Sequence, residues 1–158
     1  CISNMRRAAG GDEKAILCLL EQVLLVHHCI KPDLFLDHGS KYTEDDLRKM
    51  FEDDTNPIFV AVDDTGKMLG HCFTQIKHLE SPNLITQNTL FIDDLCIDEN
   101  ARGQHVGKAM YEYACEYARL HDCRRVTLHV WEGNDSAIKF YEAMGMKAYQ
   151  YSMEAQVL

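Results

Sequence analysis

The ten residues "ARGQHVGKAM", 101 to 110, constrain this chain more than any other stretch. They place Arg102-Gly103, His105 and Gly107-Lys108 between a β-rich run that ends at Ile97 and a helix-like run that begins at Val106. A basic, glycine-bearing turn at such a junction brings backbone close to an anion. The first N–H groups of a helix lack partners within it and carry the positive end of its dipole. Two familiar phosphate motifs are excluded by spacing. Gly103 to Gly107 is one residue short of the Gly-x4-Gly-Lys loop, Ala109 stands where that loop carries a metal-binding hydroxyl, and no G-x-G-x-x-G is present.

At 158 residues, a single domain over 1–158 is the expectation, with room for a substantial core. No apolar run approaches the roughly 18 residues of a membrane span, and "CISNMRRAAG" lacks the apolar centre of a signal peptide, so a cytoplasmic location is expected. Sixteen basic against 25 acidic residues give a formal charge of −9, which argues against nucleic acid or an anionic membrane as partner. The seven cysteines are odd in number and scattered, which reads as reduced thiols. Neither His27-His28-Cys29 nor the set Cys115, His121, Cys123 and His129 has zinc-site spacing, and no metal is expected.

Periodicity sets out the elements. "ISNMRRA" reads as a first strand and "GDEKAILCLLEQVLLVHHCI" as a helix capped at Asp12 or Gly11. "TEDDLRKMFED" reads as a second helix with Thr43 as N-cap and acids in its first turn. "PIFVAVDDTGKMLGHCFTQI" holds two β-rich runs around a hairpin signal, and "TLFIDDLCI" is a third. The helix after the opening motif carries Val106, Met110, Tyr113, Ala114, Tyr117 and Leu120 on one stripe. "RRVTLHVW" is a strand, "NDSAIKFYEAMG" a helix capped by Asn134 and stopped at Gly145, and "MKAYQYSMEAQVL" a final strand. The expected fold is α+β, a mixed and mostly antiparallel central sheet flanked by helices, in the order β-α-α-β-β-β-α-β-α-β.

Three linked segments, "LFIDDLCID", "RGQHVG" opening a helix and "NDSAIKFYEAMGM" after a strand, resemble the GNAT superfamily of acyl-CoA-dependent N-acyltransferases. The resemblance implies acetyl-CoA as co-substrate, without a metal. It implies that Arg102, Gly103, Gln104, His105, Val106 and Gly107, followed by Lys108, hold the CoA diphosphate through backbone N–H groups. His105 departs from the family's pattern, which often has glycine there. The strand before the loop would bind pantetheine through Leu95, Cys96 and Ile97, with Asn134, Ala137 and Tyr141 on the other wall. Tyr141 matches the tyrosine placed near the CoA sulfur, and Phe140 reads as core. The implied acceptor is an amine, on a small molecule or a peptide, with homodimerisation left open.

The chemistry needs few groups. An amine must lose a proton, attack a thioester and expel a thiolate, for which a base, an acid and backbone donors suffice. Asp93 and Asp94 lie in an otherwise apolar strand, and alternation would send them to opposite faces. Asp93 matches the family's acid and is the expected base; Asp94 is assigned to the acceptor side or to stability. His27, His28 and Phe35, near the end of the first helix, are further acceptor-side candidates. The competing expectation is a catalytically silent CoA-binding module on the same fold.

Overall fold

The computed structural model describes residues 4–158; Cys1, Ile2 and Ser3, including the expected start of the first strand, lie outside the described residues. The elements are β1 (Asn4–Arg7), α1 (Glu13–Ile30), α2 (Glu44–Phe51), β2 (Ile58–Val62), β3 (Met68–Leu79), β4 (Gln87–Ile97), α3 (Val106–Leu120), β5 (Cys123–Leu128) and α4 (Asp135–Ala143). A short 3-10 turn, Glu99–Ala101, links β4 to the loop before α3. The strands form one sheet in the order β1-β2-β3-β4-β5. Three neighbouring pairs run antiparallel, while β4 and β5 run parallel with α3 as their crossover.

Strand alternation divides the core. Phe59 and Ala61 of β2, with Leu90 and Ile92 of β4, pack on Val106, Met110, Ala114 and Ala118 of α3. Ile58, Val60 and Val62 of the same β2 pack on the other face with Ile16, Leu19 and Leu47 of α1 and α2. The sheet is therefore a middle layer between α3 and the α1–α2 pair.

Local chemistry accounts for the element ends. The Thr43 hydroxyl accepts from Asp46 N–H at 3.1 Å and Asp46 accepts from Thr43 N–H at 2.9 Å, a reciprocal capping box. Asn134 accepts from Ala137 N–H at 3.4 Å at the start of α4. Asp63 closes the β2–β3 hairpin by accepting from Thr65 and Lys67 N–H, and Gly66 supplies the left-handed residue at φ 86°. Asp12 precedes α1 but does not cap it by its side chain, which accepts two bonds from Arg6 at 2.8 and 3.0 Å.

Two expectations are corrected. Leu120 is 72% exposed: the buried row of α3 advances in fours to Ala118, and Leu120, the last residue of the helix, lies two residues further on and off that row. The final strand does not form among the described residues, and the sheet ends at β5. An alternating run becomes a strand only where a second edge satisfies its backbone, and this segment has none among the described residues.

At Gly70, β3 and β4 approach too closely for any side chain. A Cβ there would sit 2.8 Å from the Cys96 carbonyl oxygen and 2.6 Å from Ile97 Cδ1. Gly70→Ala should lower stability by about 1–3 kcal/mol, read as a lower urea midpoint at unchanged slope.

Candidate active site

The site grows from a strand that changes neighbours along its length. β4 pairs with β3 from Gln87 to Ile97, but with β5 only from Asn88 to Ile92. Beyond Ile92 the two parallel strands part, and the edge of Leu95, Cys96 and Ile97 that faces β5 has no strand partner among the described residues. Backbone amides and carbonyls left open in this way are suited to an amide-bearing chain laid alongside them.

A β-bulge coincides with this divergence. Phe73 lies opposite Asp94 and Thr74 opposite Ile92, which leaves Asp93 without a counterpart. Side chains of β4 that pack toward α3 are Leu90 and Ile92, then Leu95 and Ile97. The step of three between Ile92 and Leu95 breaks the alternation, so both aspartates emerge toward α1 and α2. This corrects the expectation of opposite faces: an added residue shifts the parity of everything after it.

The two carboxylates nonetheless differ. Asp93 is exposed and borders a cavity of about 160 Å³ shared with Tyr42, Asp53, Phe73 and Gln75. Asp94 is half-buried and accepts a 2.6 Å hydrogen bond from Nε2–H of His71, a fully buried β3 residue. Nδ1 of His71 has no hydrogen-bond partner, so Asp94 is the imidazole's one polar anchor among the described residues. Four other groups feel the Asp94 charge. His27 titrates below its ordinary range because of burial, with Asp94 opposing that fall. Burial, reinforced by the Asp94 charge, pushes the Cys96 thiol up to about 12 and raises the Cys72 thiol and the Tyr141 phenol as well. Tyr141 thus remains a proton donor across any working pH.

The remaining residues fall into two groups. Arg102, Gly103, Gln104 and His105 are exposed in the loop before α3, and Lys108 lies in the first turn of the helix, 3.9 Å from Glu112. Val106 is buried in the core, so only its backbone is available to a ligand. A side chain on Gly107 would lie 3.2 Å from Phe140 Cε1 and 3.7 Å from Ile97 Cγ1, so α3 and α4 close together at this glycine. Asn134 and Ala137 form the first turn of α4, and Tyr141 follows one turn later beside Phe140, with ring centroids 5.2 Å apart. At the other end, His27 lies 4.9 Å from Phe35, whose ring meets Trp131 edge-on at 5.4 Å. His28 does something different: its Nδ1 is 2.7 Å from the Phe35 carbonyl oxygen and holds the loop after α1.

Sequence reasoning missed His71 and Trp131. A histidine inside an apolar β run was the only signal for the first. The second is the single tryptophan, just past the point where β5 parts from β4. Among the described residues no cluster of three histidine, cysteine or acidic side chains is placed to hold a metal ion.

The chain belongs to the acetyltransferase (GNAT) family, whose model matches residues 24–146. It is 32% identical over 144 residues to the peptidyl-lysine N-acetyltransferase YjaB of Salmonella typhimurium, covering 91% of this chain and 83% of that protein. A mutant form of the BH1408 protein of Bacillus halodurans superposes with a TM-score of 0.93 at 25% identity, covering 98% of this chain and 99% of the other. The aminoglycoside N-acetyltransferase AAC(6')-Iy in complex with CoA shares the fold, with a TM-score of 0.73 at 14% identity over 99% and 95% of the two chains. This chain spans about two fifths of the length of the glucosamine 6-phosphate N-acetyltransferase of Trypanosoma brucei brucei and the mycothiol acetyltransferase of Salinispora tropica that it also matches.

Two outcomes follow from this geometry. His105 sits at φ 63°, a left-handed conformation that costs a side-chain-bearing residue roughly 1–2 kcal/mol. His105→Gly should therefore raise stability by about 0.5–1 kcal/mol, after the entropy of the unfolded glycine is set against the relief, as read from urea unfolding. A thiol reagent at pH 8 should label exposed Cys18 and Cys29 quickly, and Cys72 and Cys96 only on unfolding, as peptide mapping would show.

Proposed function

We propose that this chain is an acetyl-CoA-dependent N-acetyltransferase, acting as one domain over residues 1–158 and passing the acetyl group directly to a primary amine while both substrates are bound. The observation that carries this reading is the parting of β4 from β5 at Ile92, with Tyr141 half-buried nearby and the N-terminus of α3 at the open end. The residues fit the co-substrate. The free edge of Leu95, Cys96 and Ile97 offers hydrogen bonds to pantetheine amides. The N–H groups from Gly103 to Lys108, with Arg102 and Lys108 nearby, offer a positive helix end to the diphosphate. Asn134 and Ala137 form the opposite wall.

The geometry favours a division of labour between the carboxylates that reverses the sequence-based expectation. Asp94, fixed by His71 and close enough to perturb Tyr141 and Cys96, is placed to take the proton from the attacking nitrogen, directly or through water. Asp93, exposed at the bulge, is suited to attracting a cationic amine, as is the chain's charge of −9. Attack forms the N–C bond and breaks the C–S bond, and the Tyr141 phenol protonates the departing sulfur. His27, Phe35 and Trp131 are proposed to contact the apolar part of the acceptor, with His28 holding their loop. A small-molecule amine and a protein amine both suit an open cleft of this kind. The relatives' names span the two, from a peptidyl-lysine acetyltransferase to the spermine/spermidine N(1)-acetyltransferase of Bacillus subtilis.

The test is thiol release over a panel of polyamines, aminoglycosides, lysine peptides and N-terminal peptides. Tight acetyl-CoA binding with no turnover on any amine would favour the silent module instead. With an acceptor in hand, Tyr141→Phe should lower kcat by roughly 10²-fold, about 3 kcal/mol of barrier, with acetyl-CoA affinity little changed. Asp94→Asn should lower kcat by a similar factor, and by less at high pH where more of the amine is already free. Asp93→Asn should chiefly raise KM for a cationic acceptor. If Asp93→Asn takes the kcat loss and Asp94→Asn loses only stability, the two roles are the other way round.

A further inference from the structure

The register of the central strands sets out a row of side chains that joins neither half of the core. Lys77 of β3, Thr89 of β4 and Arg125 of β5 stand side by side on one rung, and Gln75, Phe91 and Thr127 on the next such rung. The residues between them, Ile76, Leu90 and Val126, pack toward α3, so alternation turns both rungs to the opposite face. Asp93 is the next β4 residue on that face and stands exposed at the head of the row.

The α1–α2 cluster takes Phe73 and Cys96 from this face of the sheet but neither Thr89 nor Phe91. Phe91 is nonetheless only 9% exposed. Its cover is polar: Lys77 Nζ lies 4.1 Å from the ring centroid, and the His129 ring meets it edge-on at 5.0 Å. An aromatic face holds a cation through its quadrupole, more weakly than a carboxylate does. Neither Lys77 nor Arg125 forms an ion pair among the described residues, although both side chains are exposed. In a chain of net charge −9, two cations on one rung without a carboxylate between them make a place suited to an anion from outside the chain.

The row's length gives that anion's class. Gln75 and Asp93 both border the cavity at the bulge, where Asp53 adds a second carboxylate. The row is thus negative at the bulge and positive four residues earlier along β4, about 13 Å away at the rise of a strand. A ligand lying along it needs an ammonium at one end and an acid at the other, about that far apart. A free amino acid is too short to reach both, whereas an extended peptide spans the gap in about four residues. The chain's net charge does not prevent this, because screening confines exposed charges to about 8 Å at physiological salt, and within that range of Lys77 and Arg125 a carboxylate meets cations first.

We propose that this row is a docking strip for a peptide acceptor, with its N-terminal amine at the Asp93–Asp94 end and an acidic side chain at its fourth or fifth residue held by Lys77 and Arg125. The proposal rests on the acetyltransferase reading for the fate of the amine, and it goes beyond that reading by naming an acidic peptide as the acceptor.

The test uses three peptides of twelve residues with a free N-terminus and a C-terminal fluorophore. One has glutamate at its fourth and fifth residues, one has glutamine there, and one has the two glutamates moved to its tenth and eleventh. Binding is read by fluorescence anisotropy with CoA present, which needs no turnover. Two exposed ion pairs should make the first peptide bind about tenfold more tightly than the other two. The double variant Lys77→Gln, Arg125→Gln should lose that preference while its circular dichroism stays that of the wild type. The double variant Lys77→Glu, Arg125→Glu should instead favour a peptide with lysines at its fourth and fifth residues. Thiol release from acetyl-CoA on the same peptides should show the preference in KM. Equal binding of the first two peptides, or a preference that survives in the glutamine variant, would overturn the proposal. So would an equal gain from the displaced glutamates, since the row would then act without regard to spacing. A preference in binding with no thiol release on these peptides or on any other amine would support the strip and count against the acetyltransferase reading; turnover without the preference would do the converse.

Discussion

β4 holds β3 along its whole length and gives up β5 after Ile92, and the site follows from that loss. Parallel neighbours joined by a helical crossover ordinarily stay paired to the ends of their strands. Here the bulge at Asp93 increases the local twist and turns the last five residues of β4 away from β5. The divergence leaves a polar edge free. It also places the next loop, and with it the N-terminus of α3, at the opening. Gly107 then lets α3 meet Phe140, which brings the following residue, Tyr141, into the same neighbourhood.

The bulge has an electrostatic consequence as well. By shifting strand parity it puts two carboxylates on one side of the sheet, where alternation alone would have separated them. Two acids so close resist burying together. They settle into unlike surroundings: Asp93 keeps to the solvent, and Asp94 moves inward onto His71. The interior charge then acts on its neighbours. Cys72, Cys96 and Tyr141 all hold their protons more firmly, primarily because burial strips water from them and further because Asp94 is near.

The segment after α4 shows what a pattern can and cannot determine. Alternation from Tyr149 to Val157 is a legitimate strand signal, yet a strand is a relation between two edges, and no second edge meets this one among the described residues. Leu120 is a milder case: helical spacing put it on the core stripe, but the α3 row ends at Ala118. Thr43, Asn134 and the Asp63–Lys67 hairpin were legible because their partners lie two to four residues away, within reach of the chain's own stiffness.

The order of the elements as far as α4, the caps at Thr43 and Asn134 and membership of the GNAT family were therefore determined by the sequence itself, since each depends on short-range spacing that survives without knowledge of the fold. Tertiary structure decided which way the two aspartates face, that His71 stands behind Asp94 across 23 residues of sequence, and that Trp131 joins Phe35 and His27. The reason is register. Whether β4 carries one residue more than β3 can be settled only when the two strands pair, and every side chain beyond that point changes face with the answer.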